Sequence, residues 1–371
     1  MGLTRVEIDQ PRDRLLRHPI DAVNGWIAKP FGTEISIGYE TLDGRTGKFR
    51  LSTYRRADLD PSQGVGFTFY VDFVRNEIHK AGTLDLIFRA EGERAADVAV
   101  AVTDEAIALA NSCRANQAAK LDSLKQILNR DLQQCEGCVA PSALPEGWPI
   151  SPQLESKIDA VSSHFYGGMI HEFLKRLPSG AIALDAGAGL RKRPVPNVIN
   201  VEIYDYPSTD VLAIGQSLPF KDNSFAGILS LAVLEHVDDP FQCARELVRV
   251  LKPGGKLLLM MPFLQAEHGY PSHYFNATRS GATKLFEQLD VESQTIHRSN
   301  HPINTLNQIL GVYHSGLDAG VREEFLNMPV REIFSLAERF ARDEDPPLTR
   351  LSLEKQFEIA WGTTTVFSKR A

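Results

Sequence analysis

The chain has 371 residues, more than one hydrophobic core comfortably serves, so two domains are expected. Its 43% apolar and 23% charged residues are those of an ordinary globular protein. A net charge of −7, with no basic run longer than Arg191-Lys192-Arg193, excludes the broad cationic face that a nucleic-acid partner requires.

Met1-Gly2-Leu3-Thr4-Arg5-Val6 lacks the apolar core of a secretion signal, and Val6 stands where a myristoylation signal wants Ser or Thr. No apolar run nears the roughly 20 residues that span a bilayer. A cytoplasmic protein without a membrane span is expected. From Asp21 to about Ala90 the pattern alternates: Ile35, Ile37, Tyr39; then Phe67, Phe69, Val71, Phe73; then Leu84, Leu86, Phe88. Turn formers at Lys29-Pro30-Phe31-Gly32, Asp43-Gly44, Asp60-Pro61 and Ala81-Gly82 separate these runs, which predicts an all-β sandwich over residues 1–100. Trp26 is expected to anchor its core. The stretch resembles the small β-sandwich modules attached to bacterial carbohydrate-biosynthesis enzymes at Asn24-Gly25-Trp26, Arg55-Arg56-Ala57-Asp58 and Gly66-Phe67. That resemblance implies a docking or glycan-contacting module rather than a catalytic one.

Residues 101–153 read as a helical linker. Thr103 can cap a helix to about Leu132, with Ile107, Ala110, Ala118, Leu121, Leu124 and Leu128 on the packed face and Arg114, Lys120, Lys125 and Arg130 more exposed. This helix could pack between domains or form a dimer seam. The four cysteines make no disulfide framework. Cys135-Glu136-Gly137-Cys138 could supply half of a zinc site, but no second Cys or His pair follows at finger spacing, so no metal is expected. The proline-rich stretch Pro141 to Pro152 reads as the connection to a third segment, 154–371.

That segment begins with an amphipathic pattern from Ser156 to Leu177 and then a short apolar run, Ala181 to Leu184, as expected for a central parallel strand. Asp185 ends the run, and Gly187 and Gly189 permit close approach of a ligand to the main chain. The next apolar run, Asn197 to Val201, ends in Glu202, an acid placed to accept hydrogen bonds from ribose hydroxyls. A strand from Phe225 to Val233, a helix capped by Asp239-Pro240, Pro253-Gly254-Gly255 and a strand from Lys256 to Met261 complete a βαβ unit.

Leu184-Asp185-Ala186-Gly187-Ala188-Gly189, Leu218-Pro219-Phe220, Val233-Leu234-Glu235-His236-Val237 and Leu251-Lys252-Pro253-Gly254-Gly255 resemble the class I S-adenosylmethionine-dependent methyltransferases of the type 11 group. The resemblance implies an α/β fold, a Rossmann-like sheet with helices on both faces, and S-adenosyl-L-methionine as cofactor. It implies a cofactor site of Asp185, Ala186, Gly187, Gly189, Glu202, Ile214, Gly215, Gln216 and Leu231. In it, the glycine loop would face the methionine part, Asp185 would reach the amino group and Glu202 would take the ribose. Two features depart from the family. Ile214 replaces the acid that accepts the adenine amino group, leaving Gln216 or the backbone as substitute acceptor. Between the glycine loop and the next strand only Leu190 to Pro196 remain, too few for a full first helix.

Beyond the last of these strands, Pro262 to Phe275 carries His268, Tyr270, His273 and Tyr274, which are expected to bind the acceptor. His236, His268 and His273 are the candidate bases, because an imidazole suits the proton of a hydroxyl acceptor. Asp290 to Ile296 and Phe357 to Phe367 read as strands closing the sheet, with a mostly helical insertion between them, about Asn304 to Arg342, that is apolar enough for a lid or homodimer surface. The expected activity is methyl transfer to a hydroxyl of a small-molecule sugar or glycan precursor. The alternative is a catalytically inactive, methyltransferase-like scaffold in carbohydrate biosynthesis.

Overall fold

The computed structural model describes residues 4–56, 58–76, 78–129, 132–134, 139–141, 166–269, 272–297, 300–342, 344 and 346–359. The chain divides into two compact units, Met1–Val233 with Phe241–Met260, and Leu234–Pro240 with Met261–Ala371.

The first unit opens with nine strands: β1 (Val6–Gln10), β2 (Leu15–Leu16), β3 (Ile20–Ile27), β4 (Ile35–Thr41), β5 (Thr46–Phe49), β6 (Leu51–Tyr54), β7 (Val65–Asp72), β8 (Gly82–Ala90) and β9 (Glu93–Val102). They form two sheets, ordered β1-β3-β7-β6 and β2-β9-β8-β4-β5. The alternation seen in the sequence is the packing rule of a sandwich: Phe67, Phe69, Phe73, Leu86 and Phe88 project into one shared core with Ile37 and Tyr39. Trp26 is not part of it. Strand parity sends Val23, Gly25 and Ile27 inward, so Trp26 lies half-buried on the other face, with the Arg5 guanidinium 5.3 Å from its ring centroid.

Strand β9 leads into α1 (Asp104–Ile127), whose first turn is capped by Thr103 accepting the Ala106 N–H at 3.1 Å. Ile107, Ala110 and Leu124 are buried, but Leu121 is 44% exposed. The expected exposure of Arg114 and Lys120 is corrected as well. Arg114 donates to the Phe73 carbonyl, and Lys120 pairs with Asp210 at 2.6 Å. An alanine-rich helix marks its faces weakly, and here oxygen partners rather than apolar spacing choose the inward side.

The remaining strands are β10 (Leu132–Gln134), β11 (Val139–Pro141), β12 (Ala183–Ala186), β13 (Val198–Glu202), β14 (Val211–Leu212), β15 (Phe225–Leu231) and β16 (Leu251–Met260). They make one sheet, β10-β11-β14-β13-β12-β15-β16, parallel throughout except where β10 meets β11. Two of these strands come from the stretch 101–153 that the sequence pattern marks as a linker; Cys135 to Cys138 lie outside the described residues. Of the helix expected from Ser156, α2 (Gly168–Lys175) is described. It sets Ile170, Phe173 and Leu174 against Ala183, Val198, Leu229 and Leu231, and β12 is buried at every residue. The helix α3 (Pro240–Val250) buries Cys243, Ala244, Leu247 and Val250.

No helix separates β12 from β13, as the short spacing requires. The sandwich and α1 hold this connection instead. Ile20 N–H donates to the Lys192 carbonyl at 3.3 Å, Cys113 approaches the Pro194 carbonyl at 3.7 Å, and Arg193 pairs with Glu105 at 3.1 Å.

The second unit contains α4 (Arg279–Leu285), α5 (Pro302–Gly316), α6 (Ala319–Asn327), α7 (Val330–Phe340) and α8 (Leu353–Ile359). Leu317, Phe325, Leu336 and Leu348 form its small core, while Leu306, Leu310 and Val330 are exposed. The two expected closing strands are corrected where they are described. Asp290 to Ile296 pairs with no strand among the described residues, and Val291 and Ile296 are 55% and 71% exposed. Phe357 to Ile359 end α8, and residues 360–367 lie outside the described chain. Short apolar alternation does not by itself supply a sheet edge to bury against.

A Cβ at Gly25 would lie 2.1 Å from the Glu7 carbonyl oxygen and 2.7 Å from the Phe67 ring. Gly25→Ala is therefore expected to lower stability by about 1–3 kcal/mol. Urea unfolding checks this, and an unchanged midpoint would contradict the β1–β3 register.

Candidate functional site

From β12 the chain moves sideways to β13 and β14, then returns to the other flank of β12 for β15 and β16. The two directions diverge at the carboxyl end of β12, a topological switch point where open α/β sheets bind ligands. The cofactor residues expected from the sequence gather along this edge. Asp185 and Ala186 end β12 and lead into Gly187 and Gly189, Glu202 ends β13, Ile214-Gly215-Gln216 follow β14, and Leu231 ends β15.

The centre of the edge is a buried polar network. Asp185 is 0% exposed, and its Oδ2 accepts the Tyr166 hydroxyl at 2.7 Å and Arg191 Nε at 2.9 Å. Arg191 Nη2 also lies 2.9 Å from that oxygen, without the alignment of a hydrogen bond. The guanidinium stacks 5.0 Å from the Tyr166 ring centroid, and the Arg191 N–H donates to Ser208 Oγ at 2.9 Å. Burial opposes the Arg191 charge, but Asp185 and Tyr166 outweigh it and its pKa is raised. Burial, then the Asp185 charge, pushes the Tyr166 hydroxyl well above its usual range. Asp185 Oδ1 and both Arg191 Nη atoms remain buried without hydrogen-bond partners among the described residues. One orphan acceptor beside two orphan donors matches the ammonium and carboxylate of an α-amino acid.

Glu202 is already engaged: its carboxylate accepts the Gly189 N–H at 2.7 Å and the Ile203 N–H at 2.8 Å. Burial raises its pKa against the pull of these two amides. A carboxylate offers about four lone-pair sites, so two remain for hydroxyl donors. Gly187 has φ +75°, and a Cβ there would lie 2.6 Å from the Val233 side chain. Glycine is thus required by backbone conformation and protein packing even before any ligand is considered. Ile214 is buried, and the Gln216 carbonyl accepts Gln242 Nε2 at 3.2 Å. Leu231 packs in the apolar cluster with Tyr166 and α2.

Arg191 and Tyr166 are the residues sequence reading passed over. Arg191 sits in a basic triplet that looks solvated, and Tyr166 precedes α2 without a motif of its own. Only the return of the short β12–β13 connection toward Asp185 reveals them.

In the second unit, the three candidate bases come together. Ring centroids of His236, His268 and His273 are 5.1, 5.7 and 4.4 Å apart in pairs. Burial lowers the pKa of His236 and of His268, leaving both neutral at pH 7. Glu235, in the 3-10 turn Leu234–His236, is fully buried, and burial pushes its carboxyl up to about 7. Its carbonyl accepts the Tyr274 N–H at 2.7 Å, tying the turn to the His268–Phe275 segment. Tyr274 is 50% exposed, and Tyr270 lies outside the described residues.

Residues 167–259 match a family model described as a methyltransferase domain. An uncharacterized methyltransferase of Mycobacterium tuberculosis is 42% identical over 81 residues, which cover 20% of this chain and 32% of that protein. One from Mycobacteroides abscessus is 39% identical over 83 residues, covering 21% and 32%. The chain thus spans about a third of the length of these curated relatives. Among solved structures, YcgJ of Bacillus subtilis covers 42% of this chain and 88% of its own at 18% identity and a TM-score of 0.28. An S-adenosylmethionine-dependent methyltransferase of Thermotoga maritima covers 32% and 67% at 23% identity and a TM-score of 0.26.

Arg191→Met or Asp185→Leu alone strands a buried charge and is expected to cost about 3–5 kcal/mol. The double variant is expected to lose much less than the sum. Denaturant unfolding of all four proteins measures this coupling, and simple additivity would contradict the buried pair.

Proposed function

We propose that the chain is an S-adenosylmethionine-dependent methyltransferase acting on a hydroxyl of a sugar or glycan precursor. The observation that carries the methyl-transfer reading is the gathering of Asp185, Gly187, Gly189, Glu202 and Gln216 on one carboxyl edge at the switch point. The orphaned atoms of Asp185 and Arg191 fit the amino-acid end of this cofactor, and Glu202 has lone pairs for its ribose. Ile214 would give the adenine an apolar wall, and Gln216, two residues on, would be the substitute acceptor for its amino group. The cofactor, when bound, supplies a methyl group on an electrophilic sulfonium.

The chain's own residues supply positioning. Asp185 Oδ1 would accept from the ammonium and Arg191 would face the carboxylate, with the glycine loop beside them. For a hydroxyl acceptor a proton must leave, and His236 and His268 are the candidate bases for it. The sugar reading draws on the sandwich at residues 1–100, whose resemblance to carbohydrate-enzyme modules supports an accessory, acceptor-presenting role. Residues 154–371 then form the catalytic segment, with 101–153 joining the two.

Calorimetry on the full chain is expected to show binding of S-adenosylmethionine and of its demethylated product. No binding by either at millimolar concentration would overturn the enzyme reading in favour of an inactive scaffold. Gln216→Ala is expected to weaken cofactor binding about tenfold, the effect of one lost hydrogen bond. With an acceptor found by labelled-methyl transfer, His236→Ala or His268→Ala is expected to lower kcat by ~100-fold or more at unchanged cofactor affinity. Turnover on small aglycone acceptors but none on sugars would overturn the acceptor class alone.

A further inference from the structure

Glu235 presents a problem that methyl transfer does not resolve. Its side chain is 0% exposed, and neither carboxylate oxygen has a hydrogen-bond partner among the described residues. Buried acids are ordinarily hydrogen-bonded, paired with a cation or bound to metal. What stands near this one is two imidazoles. Single donor atoms from Glu235, His236 and His268 all lie within 4.8 Å of one another, and His236 Nε2 is 3.9 Å from Glu235 Oε1.

The histidines are oriented for a ligand rather than for each other. His236 Nδ1 is 2.8 Å from the Ser272 carbonyl, and His268 Nδ1 is 2.9 Å from the Ala266 carbonyl. A carbonyl only accepts, so each Nδ1 carries the proton and each Nε2 keeps a free lone pair. This is the outer support that metal-binding histidines use. Gly269, at φ +106°, makes room for the arrangement: a Cβ there would lie 2.3 Å from His236 Cε1. His273 has a different task. Its Nδ1 accepts the His268 N–H at 3.2 Å, so its Nε2 donates to Asn276 Oδ1 at 2.9 Å, and both nitrogens are spent.

We propose that Glu235, His236 and His268 bind one divalent transition-metal ion, zinc fitting best. Two imidazoles and a carboxylate suit zinc and its neighbours, whereas magnesium and calcium prefer all-oxygen sets. Bonds of about 2.1 Å hold tetrahedral donors roughly 3.4 Å apart, so the cluster contracts by about an ångström on binding. Three protein ligands leave a fourth position open for an oxygen or nitrogen donor, the pattern of catalytic rather than structural sites. The inference concerns ion binding alone and stands apart from methyl transfer. With the ion bound, His236 and His268 are ligands and cannot also be bases, so the two readings of the cluster separate by experiment.

The full chain, stripped with chelator, is titrated with Co²⁺ and then with Zn²⁺. One equivalent of Co²⁺ with the visible absorption of a four- or five-coordinate ion, displaced by Zn²⁺, is expected. His268→Ala is expected to weaken binding by ~100-fold or more, beyond the loss from removing an outer partner. Its half-buried ring lies in a loop, so this variant decides the matter even if Glu235→Gln fails to fold. Cys135→Ser/Cys138→Ser is expected to bind as the parent does. Absence of stoichiometric binding, undiminished affinity in His268→Ala, or a thiolate-to-cobalt band lost in the cysteine variant would each overturn the site.

Discussion

The buried pair of Asp185 and Arg191 is the constraint on which the first unit depends. A parallel crossover normally spends a helix between its strands, and that helix covers the sheet and orders the loop at the strand end. Here the connection from β12 to β13 is too short for one. Arg191 instead turns back beneath the loop to Asp185 and Tyr166, while its backbone N–H is held by Ser208. A charge so deeply buried tolerates no other position, which makes the loop's conformation a property of the core. The outer side of the same connection rests on the sandwich and α1 through Ile20, Cys113 and Glu105. The sandwich therefore does part of the structural task that the missing helix would perform.

Two polar centres emerge, one in each unit, and they follow opposite logic. At the carboxyl edge of the sheet, Asp185 is compensated by Arg191, and what remains unpaired is a complementary set of one acceptor and two donors. In the second unit, Glu235 meets no Lys or Arg among the described residues, and its neighbours are neutral imidazoles held by backbone carbonyls. The first centre suits a zwitterion, the second a cation. Low dielectric makes both arrangements costly unless a ligand completes them.

Much of the fold was legible because burial leaves periodic marks. Alternation at Phe67 to Phe73 and Leu84 to Phe88 marked the sandwich, and unbroken apolar runs at Leu184 and Val198 marked strands covered on both faces. The failures share a cause. Trp26 depended on strand parity, Lys120 on an oxygen partner distant in sequence, and Val291 to Ile296 on whether a sheet edge was free to receive it. The strands β10 and β11 are three residues each, too short to carry a period at all.

By itself, the sequence determined the alternating strands of the sandwich, the glycine loop after Asp185, the acid at Glu202 and the absence of a first crossover helix. Each of these follows from local steric and hydrophobic rules within a few residues. Only the tertiary structure decided that Arg191 is buried against Asp185, that Glu202 is partly spent on backbone amides, and that His236 and Glu235 share one cluster with His268 and His273, which lie 32 and 37 positions beyond His236. Those facts are set by which polar groups lose water together on folding. Chain separation places no limit on that, and no local pattern records it.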